Sequence, residues 1–358
     1  MALDRISLSH FRNHRETELG ETRHLNLLFG ENGAGKTNVL EAISLLAPGR
    51  GLRRAALDEM SGPHGDGGFA IGASLKEQGH ESARIGTYVE PDRTGRRHVR
   101  INGAEANAGS LGEWLAMGWL TPAMDRLFMD SAGARRRHVD RMALALDPGH
   151  ARNVSRYETA MRERNKLLET GGDTTWLDAI EAQLSEHGER VAAGRKALIA
   201  ALTDELTALP DQPFARPLLT YRPGGPTEFE ALREDFRRQR ARDRAAGRAL
   251  TGPHRDELEV VMAGSGQAAA LCSTGEQKAM LIAMTLAHAV LAAEGRPGVL
   301  LLDEVAAHLD PVRRTALFQR LRQGRAQVWL TGTESAPFED IIEEAAVWRV
   351  SNGTVERL

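Results

Sequence analysis

The spacing of apolar positions divides the chain into segments of different character. Leu3, Ile6 and Leu8 open a strand-like start, and His24 to Phe29 (HLNLLF) is a short apolar run that suits a buried strand. Thr37 to Leu46 changes to helical spacing, with Val39, Leu40, Ile43 and Leu46 on one face, and Ala47-Pro48-Gly49 stops it. Residues 68–75, 83–90 and 97–102 return to strand patterns, and Asn102-Gly103 is a strong two-residue hairpin signal. An antiparallel sheet is therefore expected after the first helix, where a plain doubly wound fold would continue strand–helix–strand.

From about 109 to 209 the pattern reads almost entirely helical. Leu177, Leu184, Val191 and Leu198 recur every seven residues, but the companion seam of Ile180, His187, Gly194 and Ala201 is too polar and small for a sustained coiled coil. This predicts a compact helical lobe or short helical hairpin with a turn at Gly171-Gly172, and the length excludes long arms. Leu218 to Arg222 is strand-like, and a helix follows over about 227–248. Val299 to Glu304 (VLLLDE) reads as a buried parallel strand, and Asp310-Pro311 as the N-cap and first position of the next helix. The predicted division is 1–108 and 210–358 as two parts of one α/β unit, with 109–209 as an inserted all-helical lobe.

Composition narrows the class. The 358 residues are 41% hydrophobic and 27% charged, as in a globular protein able to bury a large core. No run approaches the roughly eighteen apolar residues of a membrane span, and MALDRISLSHFRN lacks the apolar core of a signal peptide. Cys272 is the single cysteine, so no internal disulfide forms; together these point to the cytoplasm without a membrane partner. A net charge of −3 means that any nucleic-acid surface must be a local patch.

The chemistry centres on Gly30 to Thr37, GENGAGKT, which fits Gly, any four residues, Gly-Lys-Thr. In that pattern backbone N–H groups curl around a phosphate, the Lys reaches the β- and γ-phosphates, and the Thr hydroxyl goes to Mg²⁺. A strand before the turn and a helix after it complete an anion site. The paired acids Asp303 and Glu304 lie at the C-terminal end of their strand, where ligands bind in parallel sheets. An Asp there can hold Mg²⁺ through water, and the adjacent Glu can take a proton from an attacking water. Between these motifs, Ser273 and Glu276 of STGEQK form a capping box.

Read together, these segments resemble the ATP-binding-cassette head of the SMC-like ATPases: a strand with Phe11-Arg12-Asn13, then GENGAGKTN, an arm, STGEQK and LLLDEVAAHLD. Leu120-Thr121-Pro122, the segment from Arg135-Arg136-Arg137 to Asp140, and Gly252-Pro253-His254-Arg255-Asp256 resemble the RecF family of recombination-mediator ATPases. The resemblance implies an α/β, ABC-type P-loop ATPase head, with a mixed sheet plus an antiparallel subdomain and the helical lobe inserted. It implies ATP contacts from Arg12 and Asn13 and from Gly30, Glu31, Asn32, Gly33, Ala34, Gly35, Lys36, Thr37 and Asn38. Thr37 and Asp303 serve Mg²⁺, and Glu304 polarises water. Ser273, Gly275 and Glu276 belong to the signature that meets the γ-phosphate of the opposite subunit, with Asp310 in the loop facing that subunit. The implied partners are gapped DNA at single-strand/double-strand junctions, RecO and RecR, in helping to load RecA, and a second copy of the chain in an ATP-dependent homodimer.

The signature reads STGEQ where SGGQ or SGGE is commoner, and no His follows the strand Gln327 to Leu330, so Thr331 or Thr333 is the expected substitute. Leu120-Thr121-Pro122 is the expected replacement for a glutamine loop. These departures imply slow, switch-like hydrolysis. The helical lobe and the absent His disfavour a transport cassette, and the signature disfavours a small-molecule kinase. For DNA the candidates are Arg135, Arg136 and Arg137, together with Arg237, Arg240 and Arg244 on the helix over 227–248, helped by Arg53 and Arg54, since guanidinium groups suit phosphate.

Overall fold

The structure, a computed structural model, describes residues 2–63, 65–77, 80–210 and 212–358. Strands β1 (Leu3–Phe11), β2 (His14–Leu19) and β3 (Leu25–Phe29) precede helix α1 (Lys36–Ser44). Four strands follow, β4 (Phe69–Glu77), β5 (His80–Val89), β6 (Arg97–Ile101) and β7 (Ala104–Ala106), then α2 (Leu111–Trp114) and β8 (Ala116–Leu120). Helices α3 (Ala132–Leu146), α4 (Gly149–Thr170) and α5 (Thr174–Ala208) lead to β9 (Pro217–Arg222), α6 (Phe229–Ala246) and β10 (Glu257–Met262). The chain closes with α7 (Thr274–Ala292), β11 (Gly298–Leu302), α8 (Pro311–Gln323), β12 (Gln327–Gly332), β13 (Ala346–Ser351) and β14 (Thr354–Arg357).

Two compact units result. One comprises Met1–Asp125, Gln212–Phe214 and Leu281–Leu358, the other Arg126–Asp211 and Ala215–Met280. The first holds two sheets. In the order β14-β13-β3-β12-β11-β8, all neighbours but β13–β14 run parallel. Strands β8, β11 and β12 are buried along their whole length, which is why they read as continuous apolar runs without alternation. The second sheet, β2-β1-β4-β5-β6-β7, is antiparallel throughout, and Asn102-Gly103 makes the β6–β7 turn. One hydrophobic core joins both sheets to α1 through Leu8, Phe11, Val39, Leu40, Ile43, Leu301 and Trp329, each fully buried. Burial of such side chains stabilises by about 1.5–3 kcal/mol apiece.

Helix α1 is anchored at both ends. Gly35, at φ 118°, makes the sharp entry, and the half-buried Arg97 of β6 closes the exit. Its guanidinium donates to the carbonyls of Leu45, Ala47 and Gly49 and to the Thr87 hydroxyl. A cation there complements the negative end of the helix dipole, although burial lowers the Arg97 pKa to about 10.

One sequence expectation is corrected here. Residues 109–120 are not part of a helical run: α2 spans only Leu111–Trp114, and Ala116–Leu120 is a strand paired in parallel with β11. A short apolar segment such as AMGWL has no period that separates a buried strand from a buried helix. The helical unit therefore begins at Arg126, and it includes 215–280.

That second unit packs α3 to α6 with the two-stranded β9–β10 sheet. Helix α4 ends at Gly171, φ 72°, and α5 runs back from Thr174. The weak heptad seam has a packing function. A Cβ on Gly194 would lie 2.6 Å from the His150 ring, and one on Gly188 would lie 2.8 Å from Leu232. Small residues on α5 thus let neighbouring helices approach closely. Tyr157, Leu184, Val191, Leu232 and Phe236 form the core of this unit.

Candidate nucleotide site

The site is assembled in the first unit from the C-terminal ends of parallel strands. Register places Phe29 of β3 beside Gly332 of β12, and Leu302 of β11 beside both Leu330 and Leu120. The phosphate loop, the paired acids and Leu120-Thr121-Pro122 therefore emerge at one edge of the sheet. The Asp303 N–H donates to the Leu120 carbonyl at 2.9 Å, so the Leu-Thr-Pro segment lies directly against the acids.

Inside the loop, Lys36 is buried, and its Nζ donates to the carbonyls of Gly30 (2.7 Å) and Glu31 (3.0 Å). It also lies 3.4 Å from Glu304 Oε1. The Thr37 hydroxyl donates to Asp303 at 2.9 Å. A hydroxyl and a carboxylate held this close are the hard oxygen donors that suit Mg²⁺. Beneath them lies Thr331, fully buried. Its hydroxyl donates to Asp303 Oδ1 at 2.8 Å and accepts from the Glu304 N–H at 2.9 Å. Glu304 adopts φ 54°, an uncommon conformation for a non-glycine residue and one that concentrates at functional positions. Thr331 is thus the underside support of both acids, while Thr333 is exposed.

The β1–β2 turn braces the loop from outside. Asn13 Nδ2 donates to the Ala34 carbonyl at 3.0 Å, and Asn38 Nδ2 donates to Asn13 Oδ1 at 2.7 Å. His14 Nε2 lies 3.1 Å from the Gly35 carbonyl, and burial lowers the His14 pKa, which favours the neutral ring. Arg12 turns to α1, where it grips Glu41 with two bonds of 2.8 and 2.9 Å. Arg53 joins it at 2.9 Å and also donates to Asn38 at 2.7 Å. Glu41 is wholly buried, and pattern reading did not single it out. Glu31, Asn32 and Gly33 form the exposed lip of the loop.

The capping box forms as the spacing predicts. Glu276 Oε2 accepts from the Ser273 N–H and hydroxyl at 2.8 and 2.7 Å, in the second unit, and Ser273 and Gly275 are exposed. Asp310, in the first unit, caps α8 by accepting from the Arg313 N–H at 2.9 Å.

The chain is matched over residues 2–356 by the family model of the RecF/RecN/SMC N-terminal domain. It is 47% identical to the DNA replication and repair protein RecF of Brucella suis biovar 1 (strain 1330), over 99% of this chain and 95% of that protein. The chain belongs to the RecF family. The RecF of Mesorhizobium japonicum (strain LMG 29417 / CECT 9101 / MAFF 303099) is 45% identical, again over 99% of the chain and 97% of the relative. The fold agrees with a solved structure of the recombination mediator protein RecF-ATP in the RecFOR pathway, at TM-score 0.86 and 22% identity, covering 100% of this chain and 97% of the other. An Smc head bound to the C-winged helix domain of ScpA is more distant, at TM-score 0.58 and 14% identity with 100% and 97% covered. The ABC ATPase head expected from the motifs is therefore the fold of this RecF-family chain.

Of the arginines proposed for DNA, Arg53 and Arg54 lie in the first unit, where Arg53 is engaged by Glu41 and Asn38, and the other six lie in the second unit, distributed differently from their sequence grouping. Arg135 forms a bidentate pair with Glu257 at 2.7 and 2.8 Å, which raises its pKa, and Arg136 donates to the Asp256 carbonyl at 2.8 Å. Arg240 pairs with Asp178 and with Glu181, and Arg237 lies 3.2 Å from Asp178. Arg244 donates to the Leu168 carbonyl at 2.8 Å. Arg137, Arg242 and Arg248 have exposed side chains. The RecF-like Gly-Pro-His-Arg-Asp segment is also engaged internally. Arg195 ties Asp256 to Asp140 with bonds of 2.8 Å and donates to the Pro253 carbonyl at 2.6 Å. Burial would raise the Asp140 pKa, but bonds from His150 and Arg195, with the Arg195 charge, outweigh it and leave it lowered.

Proposed function

We propose that this chain is an ATP-dependent DNA-binding switch of recombinational gap repair, closing into a homodimer on ATP in the cytoplasm. The observation that carries this reading is the joined group of Lys36, Thr37, Asp303, Glu304 and Thr331 at one sheet edge. On ATP binding, Lys36 exchanges the Gly30 and Glu31 carbonyls for the β- and γ-phosphates. Thr37 and Asp303 would hold Mg²⁺, which would neutralise phosphate charge. Glu304 then orients the attacking water and accepts its proton. Ser273, with Gly275 and Glu276, acts on the nucleotide of the opposite subunit, and Asp310 faces that subunit. The Ser273 hydroxyl donates to its own Glu276, so meeting a phosphate requires it to exchange that bond. Such an exchange suits slow turnover. DNA at gaps, RecO and RecR are the proposed partners, in helping to load RecA. Support comes from the relatives named for DNA replication and repair, and from the likeness to a recombination mediator protein of the RecFOR pathway.

The test is gel filtration with and without ATP. Glu304→Gln keeps shape but loses basicity, so it should accumulate an ATP-bound dimer. Asp303→Asn should bind Mg²⁺–ATP weakly and stay monomeric. Identical behaviour of the two variants would overturn the roles assigned to the acids.

A further inference from the structure

A loop that turns its N–H groups toward an anion must turn its carbonyls outward, and those carbonyls need donors of their own. In this loop Gly30 and Glu31 are served by Lys36, and Gly35 by the amides of Asn38 and Val39 as the helix begins. The Ala34 carbonyl is held from outside the loop. It accepts from Asn13 Nδ2 at 3.0 Å and from the Gly353 N–H at 2.9 Å. Gly353 lies in the β13–β14 turn, hundreds of positions away in sequence.

We propose that the Asn352-Gly353 turn is a positioning element of the nucleotide site, fixing the phosphate loop through the Ala34 carbonyl. The inference rests on the ATP-site reading above. When Lys36 moves to the phosphates, its bonds to Gly30 and Glu31 are surrendered. The bonds to Ala34 are not, so the turn holds the loop in shape while ligand enters. The fit is tight. At φ 78°, a Cβ on Gly353 would lie 2.0 Å from the Asn13 carbonyl oxygen. On the same hairpin, the Val350 carbonyl lies 2.1 Å from where a Gly30 Cβ would be. The Thr17 hydroxyl secures the turn by donating to the Gly353 carbonyl at 3.3 Å. Positive φ at Asn352 (47°) and Gly353 (78°) marks a type I′ turn.

The chain carries its own control. Asn102-Gly103 has the same conformation, at φ 50° and 83°, but a Cβ on Gly103 would meet nothing within 4 Å. Ala at either glycine suffers the same backbone strain, and only Gly353→Ala also displaces Asn13 from the loop. ATP affinity, followed with a fluorescent ATP analogue, should weaken about tenfold in Gly353→Ala. Gly103→Ala should bind ATP as wild type does, its Tm lowered by the shared backbone strain alone and so by less than that of Gly353→Ala. If Gly353→Ala does not fold, Thr17→Val decides the matter, with a smaller expected weakening of about threefold; because the Thr17 hydroxyl also lies 3.0 Å from His14 Nδ1, the weakening must exceed that of His14→Gln. Lys36→Ala separates the two readings. If it binds ATP as wild type does, the ATP site itself is misassigned. If Lys36→Ala loses ATP while Gly353→Ala and Thr17→Val bind as tightly as wild type, the positioning role is overturned.

Discussion

Thr331, within β12, is one of the two threonines expected to stand in for the histidine of transport-type cassettes, and Thr331→Val tests what it does there. The substitution preserves shape and burial but removes the hydroxyl. It deletes a bond to the Asp303 carboxylate, worth about 1.5–3 kcal/mol, and leaves the Glu304 N–H unpaired at a cost of about 1–3 kcal/mol. Both bonds lie wholly within the chain, so a loss of about 3 kcal/mol should appear in chemical denaturation. A second effect falls on turnover. Glu304 sits at φ 54°, a conformation costing about 1–3 kcal/mol that relaxes once its support is gone. A displacement of about 1 Å at the base would lower kcat about a hundredfold. Steady-state ATP hydrolysis, with nucleotide affinity measured separately, gives both quantities. Thr331→Ser keeps the hydroxyl and should recover most of the turnover. Wild-type kcat in the Val variant, or a Ser variant no better than Val, would refute the bridging role.

Three further outcomes follow. Ser273→Arg puts bulk and charge at the proposed subunit junction, so each monomer should bind ATP without dimerising; mixed with Lys36→Ala, it should recover turnover through one intact composite site, and no recovery in verified heterodimers counts against sharing. His14 is buried with its pKa lowered from 6.5, so its neutral form stabilises the fold fully above pH 6.5, and that stability declines as pH falls from there toward the folded value. His14→Gln should flatten this part of the stability–pH profile, leaving the same-sign contributions of His187 and His254; an unchanged profile removes His14 from the account. Charge reversal at the exposed Arg137, Arg242 and Arg248 should weaken DNA binding and reduce the salt slope by about 0.9 for each phosphate no longer neutralised, and an unchanged slope would place the patch elsewhere.

The residues legible in sequence are those whose chemistry and local geometry coincide. GENGAGKT specifies a turn, a helix start and a ligand within eight residues, and VLLLDE a buried strand with acids at its end. Ser273 with Glu276, and Asp310 with Pro311, cap helices through neighbours three positions away. What escaped depends on distant partners. β8 is a strand because β11 pairs with it, and β10, β13 and β14 likewise require register that no short window contains. Thr331 stood out only as the residue where a histidine was expected. Its function became visible when β12 placed it under Asp303, a residue 28 positions earlier. The Asn352-Gly353 turn did carry a signal, the dipeptide already recognised at 102–103, but nothing in sequence connects it to Ala34.

Arginine is the residue type whose sequence context misleads most in this chain. The helix over 227–248 looked strongly basic when weighed against the acids along its own length. The acids that matter to it lie on α5, where Asp178 and Glu181 receive Arg240 and Asp178 receives Arg237. Behind them Arg164, fully buried, bonds Glu181 at 2.9 Å and Asp243 at 2.8 Å, and donates to the Phe236 carbonyl at 2.7 Å. Breaking such a buried pair from one side leaves an uncompensated charge, at about 3–5 kcal/mol. Arg240 therefore reports on the α5–α6 packing before it reports on any ligand, and reversing its charge would confuse unfolding with lost DNA affinity. Phosphate contacts need guanidinium groups that can leave water without abandoning a carboxylate. Arg237, Arg238 and Arg244 are exposed too but engage Asp178, Asp235 and the Leu168 carbonyl, so it is exposure without such a partner among the described residues that selects Arg137, Arg242 and Arg248 for that experiment.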